Sequence, residues 1–142
     1  MREPTRAPFA NFVGGGIEEQ RDGYVRLAVD TTLEHADVLG RVHSGVITTL
    51  MDSAIGIALG HLRGEPGGRK GGPHATIDMS ASFYAHAEPG EEIVVEGRVT
   101  RIQEGAAFGE AKAQRASDGE LLASGRLTFA IPRHAEFRKL EG

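Results

Sequence analysis

The chain has 142 residues, 39% hydrophobic and 25% charged, and so holds enough apolar material for one modest core and a single domain. The formal net charge of -4 argues against a nucleic-acid partner, which would require a basic face. The sequence contains no cysteine, which excludes disulfides, thiolate metal sites and a cysteine nucleophile.

Residues 1 to 16 are rich in proline and glycine and carry two aromatic side chains, Phe9 and Phe12. This composition predicts an N-terminal arm, irregular or with one short helix, that docks both aromatics. The segment lacks the continuous apolar run of a signal peptide, and no membrane span is expected. We therefore expect a cytoplasmic protein with no membrane partner.

The first strand is predicted where apolar side chains alternate with polar or small ones, at Val25, Leu27 and Val29. An earlier start near Ile17 is left open at this point. The strand is followed by a polar loop without periodicity over residues 31 to 42, which contains His35 and Asp37.

One long helix is predicted from Val42 to Leu62, because its apolar residues fill more than a single stripe. They are Val46, Ile47, Leu50, Met51, Ala54, Ile55, Ile57, Ala58, Leu59 and Leu62. Such a helix is expected to be buried on most sides. Asp52 lies in the middle of this run, where an unpaired carboxylate would be costly, so it needs a dedicated partner or a function.

The start of this helix is marked by Ser44, a residue type that often caps helices by accepting from open backbone N–H groups. Ser44 is therefore expected to be the N-cap. The open N–H groups carry the positive end of the helix dipole and favour a partial negative charge nearby.

From residue 74 onward the apolar pattern has period two, with turn signals at Pro89-Gly90, Glu104-Gly105 and Asp118-Gly119. Four strands are predicted here, and the last three form an antiparallel meander. Small residues at inward-facing positions leave room for the central helix, namely Gly97, Gly109, Ala111 and Gly125.

Three other kinds of site are not supported by the sequence. The basic loop over residues 63 to 73 lacks the G-x-x-x-x-G-K-[ST] pattern of a phosphate-binding loop. None of the six histidines belongs to an H-E-x-x-H motif or a ligand-spaced cluster, so no metal is expected. The G-x-S-x-G elbow of serine hydrolases is absent.

These elements predict an α+β fold, with an arm over residues 1–16, one domain over 17–132 and a tail over 133–142. One long central helix lies against a five-stranded antiparallel sheet. With the pattern D-x-x-G-x-x-H-S-G-V-x-x-x-L-x-D from Asp37 to Asp52, the chain resembles the hotdog-fold acyl-CoA thioesterases, in particular the phenylacetate-pathway subgroup. The resemblance extends from about Pro8 to Ile131.

The resemblance assigns a role to each matching residue. Asp52 matches the family's carboxylate, which acts as general base or nucleophile. Ser44 matches the residue whose backbone N–H polarises the thioester carbonyl, and His43 matches the adjacent histidine that shapes this site. Thr76 matches a Ser/Thr position that orients water or the acid, and Asp37 occupies the place of the usual Asn.

The resemblance also implies an acyl-CoA substrate, no cofactor, and a homodimer or homotetramer with sites between subunits. Helix geometry favours the same assembly, because Ser44 and Asp52 are separated by about 12 Å along the axis of one helix. Two antiparallel helices from different subunits would bring Ser44 of one beside Asp52 of the other.

Two alternatives to this interpretation stay open. The Asp52 carboxylate could be purely structural, bonded to a core hydroxyl or capping a helix. An ionised Asp37 has no donor for the substrate carbonyl and would repel a developing oxyanion. The chain could therefore be a non-catalytic hotdog module that binds acyl-CoA or serves as an oligomeric partner.

Overall fold

The computed structural model describes residues 2–62, 73–133, 135, 137 and 140. The predicted basic loop over residues 63–73 therefore lies, apart from residue 73, outside the described residues. Most of the predicted tail over residues 133–142 lies outside them as well. Of its described side chains, Phe137 and Leu140 are partly buried against the core.

The central helix α2 runs over Ser44–Leu62, which confirms the predicted long helix. All the apolar side chains that predicted it are buried. Burial of each large one stabilises the fold by about 1.5–3 kcal/mol. The helix is long and apolar enough to cross a membrane, but 61% of it is buried within the fold. That environment is the one expected of a core helix.

Seven strands form one sheet around this helix, so the predicted number of five was wrong. In chain order the elements are β1 Glu3–Pro4, α1 Pro8–Val13, β2 Gly16–Arg21, β3 Tyr24–Asp30, a 3-10 helix Leu33–His35, α2, β4 Ala75–Phe83, β5 Glu92–Gln103, β6 Ala106–Arg115 and β7 Leu121–Ala130.

The two additional strands, β1 and β2, lie at the N-terminal end of the sheet. β1 has two residues and pairs with β2. β2 turns tightly into β3, where Gly23 has a φ of +75°, a value that favours glycine. Ile17 is the one large apolar residue of β2, so this strand shows little of the alternation by which strands are predicted.

The spatial order of the strands is β1-β2-β3-β5-β6-β7-β4, with every neighbouring pair antiparallel. β5, β6 and β7 pair in succession, which confirms the predicted meander. β4 follows α2 directly in the chain but pairs with β7 at the far edge. Among the described strands, β4 therefore has one neighbour and one open edge.

The helix lies against the sheet at glycines. A Cβ atom on Gly97 would lie 2.7 Å from the Cβ of Ala54, and one on Gly109 would lie 2.5 Å from Cγ2 of Ile55. Both distances are too short for a real side chain. The predicted role of these small residues, to leave room for the helix, is confirmed.

The N-terminal arm contains a helix but does not dock its aromatics. Phe9 and Phe12 are 62% and 85% exposed and stack on each other with ring centroids 6.3 Å apart. The buried residue of α1 is Ala10. The spacing of the two rings places them on one face of the helix, and that face points away from the core.

Candidate active site

The start of α2 is capped by His43. The helix begins at Ser44, and Nδ1 of His43 accepts a hydrogen bond from the Gly45 N–H at 2.7 Å. A side chain that accepts from the second N–H of a helix occupies the N-cap position. The prediction that Ser44 is the cap was therefore wrong by one residue.

This capping leaves one N–H group open at the helix start. The Gly45 N–H is taken by the His43 side chain, and the Val46 N–H donates to the His43 carbonyl at 3.0 Å. No acceptor for the Ser44 N–H is present in the part of the chain that the structure describes. This N–H carries part of the positive end of the helix dipole and can donate to a carbonyl oxygen.

Asp52 lies about two turns further along α2, and it is half-buried. The hydroxyl of Thr76, on β4, donates a hydrogen bond to Oδ1 of Asp52. This contact supplies the partner that a carboxylate in an apolar helix requires. No described residue donates to Oδ2, so this oxygen remains available to water or substrate.

Asp37 is held firmly in the loop before α2. Its Oδ1 accepts from the N–H groups of Leu39 at 2.8 Å and Arg41 at 3.0 Å, and its Oδ2 lies 3.6 Å from the Arg41 guanidinium. The Arg41 N–H, then the Leu39 N–H and the Arg41 charge, lower the pKa of the Asp37 carboxyl, although partial burial opposes them. Asp37 is therefore an ionised carboxylate at neutral pH.

A surface cavity of about 340 Å³ joins the start of α2 to the segment after β4. Asp37 and Ser44 line it, together with Ile47, Tyr84 and His86. The cavity offers an apolar wall, a backbone donor and polar groups at one place, which suits a small ligand with a carbonyl group.

The predicted site residues thus fall into two groups in one chain. Asp37, His43 and Ser44 lie at the helix start, whereas Asp52 and Thr76 form a contact further along the helix and do not line the cavity. Eight residues of helix separate Ser44 from Asp52, or about 12 Å. The open backbone donor and the carboxylate therefore lie at two separate places in one chain.

Arg115 was not identified from the sequence, although it holds a segment that lines the cavity. Its guanidinium donates to the His86 carbonyl at 2.9 Å and pairs with Glu91 at 2.9 Å. It also pairs with Asp118 and Glu120 in the following turn. The side chain is 16% exposed, so these bonds fix the segment that carries His86. The acidic residues around the Asp118-Gly119 turn are the sequence feature from which the ion pairs of Arg115 could have been predicted.

A larger cavity of about 630 Å³ lies on the opposite face of the sheet, and none of the predicted site residues lines it. Its lining includes Arg98, Glu110 and Arg126, which are neighbours across β5, β6 and β7. Over the described ranges, no three His, Cys, Asp or Glu side chains are grouped so that they could hold a metal ion.

Comparison with known sequences gives one family. The model of the thioesterase superfamily matches residues 39–121. Acyl-coenzyme A thioesterase 13 of Mus musculus is 30% identical over 95 residues, which cover 67% of this chain and 64% of the mouse protein. The match thus spans less than two thirds of the length of this relative.

Comparison with solved structures gives one fold. A mutant of the phenylacetic acid degradation protein of Thermus thermophilus superposes with a TM-score of 0.74 at 19% identity, covering 94% of this chain and 100% of that chain. A Streptococcus mutans protein bound to acetyl-CoA superposes with a TM-score of 0.70 at 16% identity, covering 89% and 92%. The fold is the hotdog fold, which confirms the predicted fold class.

Proposed function

This chain belongs to the thioesterase superfamily, and we propose that it hydrolyses acyl-CoA thioesters. The resemblance based on the pattern from Asp37 to Asp52 is thereby confirmed at the level of the family. Acyl-CoA as the substrate class is supported by the name of the mouse relative and by the acetyl-CoA bound to the Streptococcus mutans protein.

The observation that carries this proposal is the contact between Asp52 and Thr76. A half-buried carboxylate on a core helix has one oxygen fixed by a hydroxyl and the other open. Oδ2 takes a proton from water as the water oxygen attacks the thioester carbon, and that proton then passes to the departing thiolate. Alternatively, Oδ2 attacks the carbon itself and expels the thiolate, and water then hydrolyses the mixed anhydride that has formed. Both routes need an ionised carboxylate, consume one water molecule, and release coenzyme A and a carboxylic acid.

The Ser44 N–H provides the second part of the chemistry. It donates to the thioester oxygen as negative charge develops there, with the helix dipole adding to the effect. His43 contributes by capping the helix, because its acceptor engages the Gly45 N–H and leaves the Ser44 N–H for substrate.

The active form in this proposal is a homodimer. The open edge strand β4 exposes Ile77 to 62%, Met79 to 38% and Phe83 to 46%. Exposed edges with large apolar side chains favour pairing with another strand, and a second copy of β4 would cover them. Because Thr76 links β4 to Asp52, pairing of this kind would bring Asp52 near the interface, and in this proposal Ser44 of the second copy completes its site.

The proposal is tested by measuring thiol release from short-chain, aromatic and long-chain acyl-CoAs. Because the chain has no cysteine, a thiol reagent reports coenzyme A without background from the protein. We expect release with at least one acyl class. Binding of acyl-CoA in calorimetry with no thiol release across the panel would instead support the non-catalytic module, for which the ionised Asp37 is the favouring observation.

A further inference from the structure

His35 connects three segments through its imidazole ring and its backbone. Its Nδ1 accepts from the Thr32 N–H at 2.8 Å, and its Nε2 bonds to the Val13 carbonyl at 2.5 Å. A carbonyl oxygen only accepts, so Nε2 carries the proton and Nδ1 is the acceptor. The two bonds therefore hold the ring in one tautomer.

The bond to Thr32 closes a capping box around the 3-10 helix. The Thr32 hydroxyl accepts from the Glu34 N–H, the Thr32 carbonyl accepts from the His35 N–H at 3.0 Å, and the His35 ring returns to the Thr32 N–H. Reciprocal bonds of this kind fix the direction in which the turn's carbonyls point. The His35 carbonyl is one of them.

The His35 carbonyl reaches the start of α2. It accepts from the His43 N–H at 2.8 Å. On the other side, the Val42 N–H donates to the Ala87 carbonyl at 2.9 Å. The N–H groups of Val42 and His43, the two residues before Ser44, are thus each held by a backbone carbonyl. The carbonyl that holds His43 belongs to the 3-10 turn, and the His35 side chain fixes that turn.

We infer that His35 is a positioning residue for the Ser44 N–H, acting through the 3-10 turn and the His43 backbone. The inference rests on the proposed function, in which that N–H binds the thioester oxygen. The peptide group that carries the Ser44 N–H begins at His43, so a rotation of His43 re-aims the donor. Misplacement of a catalytic group by about 1 Å can cost about a hundredfold in rate.

Two substitutions separate the bonds of the ring. In His35→Asn, the side-chain oxygen can replace Nδ1 as acceptor for the Thr32 N–H, while the bond to Val13 is lost. In His35→Leu, which has nearly the shape of Asn but no acceptor, the bond to Val13 is lost and the capping box is opened as well. If the capping box is what aims Ser44, His35→Asn should keep most of the activity and His35→Leu should not.

The expected result is a kcat about tenfold to a hundredfold lower in His35→Leu with KM little changed, because a transition-state contact is weakened. His35→Asn should stay within about threefold of the wild type. The matched control is His61→Leu, which breaks the 2.8 Å contact with Asp22 at the far end of α2 and should leave kcat unchanged. Thermal unfolding of all variants shows whether stability alone explains the rates.

Hydrogen exchange of the His43 amide gives a readout that does not depend on activity. We expect its exchange to rise at least about tenfold in His35→Leu relative to His35→Asn, as the bond to the position-35 carbonyl is released. A wild type without turnover would contradict the proposed function, and the exchange result would then decide the inference alone. Equal kcat in the Leu and Asn variants, or equal His43 exchange, would overturn the inference.

Discussion

The Thr76 hydroxyl donates a hydrogen bond to Oδ1 of Asp52 and so joins the edge strand β4 to the middle of the central helix. Hydrogen bonds to an ionised group contribute about 1.5–3 kcal/mol. A bond of that strength is enough to select one orientation of the carboxylate. With Oδ1 engaged, Oδ2 is the oxygen that the proposed reaction uses on water or on the thioester.

Replacement of Thr76 tests whether this orientation matters for the reaction. Thr76→Val keeps the branched shape suited to a strand and removes the hydroxyl. We expect kcat to fall about tenfold to a hundredfold, the effect of losing about 1.5–3 kcal/mol of orientation. Thr76→Ser keeps the hydroxyl and should retain near-wild-type thiol release. Full activity in the valine variant would show that Asp52 is positioned by other contacts.

Asp52→Asn separates the structural and chemical roles of the carboxylate. The amide oxygen can still accept from Thr76, so the thermal unfolding midpoint should change little. Thiol release should fall about a hundredfold or more, because the base or nucleophile is gone. Unchanged turnover in a folded variant would exclude Asp52 from both roles.

The helix and the strands of the meander could be predicted because each has a strong period in its apolar residues. The carboxylate in the helix was visible for the same reason, since Asp52 interrupts that pattern. β2 was foreseen only as an open alternative, an earlier start of the first strand near Ile17, because Ile17 is its one large apolar residue. The exposure of Phe9 and Phe12 could not be predicted, since an apolar side chain does not itself say what covers it.

The geometry of the site was less predictable than its residue list. Ser44 is a better N-cap than His43 by residue type, yet the cap depends on which side chain can reach the Gly45 N–H. The contact between Thr76 and Asp52 joins residues 24 positions apart. Local patterns carry no information on such a contact, and the expectation came from the family resemblance.

Asp37→Asn tests the charge at the start of the helix. The amide oxygen can keep both backbone bonds of Oδ1, while the charge near Ser44 is removed and a donor is gained. We expect faster thiol release, up to about fivefold for about 1 kcal/mol of relieved repulsion. Loss of activity at constant stability would mean that Asp37 acts as a carboxylate.

The pH dependence of the same variant has a definite sign. The folded-state pKa of Asp37 is lowered, so its carboxylate contributes stability above about pH 4, and this contribution is lost as the pH falls through the folded pKa. The rate ratio of variant to wild type should therefore be flat from about pH 5 upward. The stability advantage of the wild type should shrink on acidification below about pH 4, measured by denaturant unfolding.

Gly97→Ala tests how closely the helix approaches the sheet. The added Cβ would lie 2.7 Å from the Cβ of Ala54 and 2.9 Å from the backbone nitrogen of Ile55. Backbone atoms cannot rotate away, so we expect a loss of about 1–3 kcal/mol in the free energy of unfolding. The control is Arg98→Ala, the exposed neighbour in β5, which should stay within about 0.5 kcal/mol. Wild-type stability in the glycine variant would indicate a looser contact.

A final experiment tests whether Ser44 and Asp52 of different chains form one site. Ser44→Pro removes the donor N–H at the first helical residue, where proline is tolerated. Ser44→Ala keeps the N–H and serves as the active control. Ser44→Pro and Asp52→Ala should each be inactive alone.

Refolding the two inactive variants together in equal amounts should restore activity. About half of the dimers should be mixed, and each mixed dimer combines one site with both groups intact and one site with both damaged. About a quarter of the wild-type sites should therefore return. Differently tagged chains allow the mixed dimers to be isolated and counted before the assay. If isolated mixed dimers release no thiol, then Ser44 and Asp52 do not act across the interface, because a site shared between chains would be intact once in every mixed dimer.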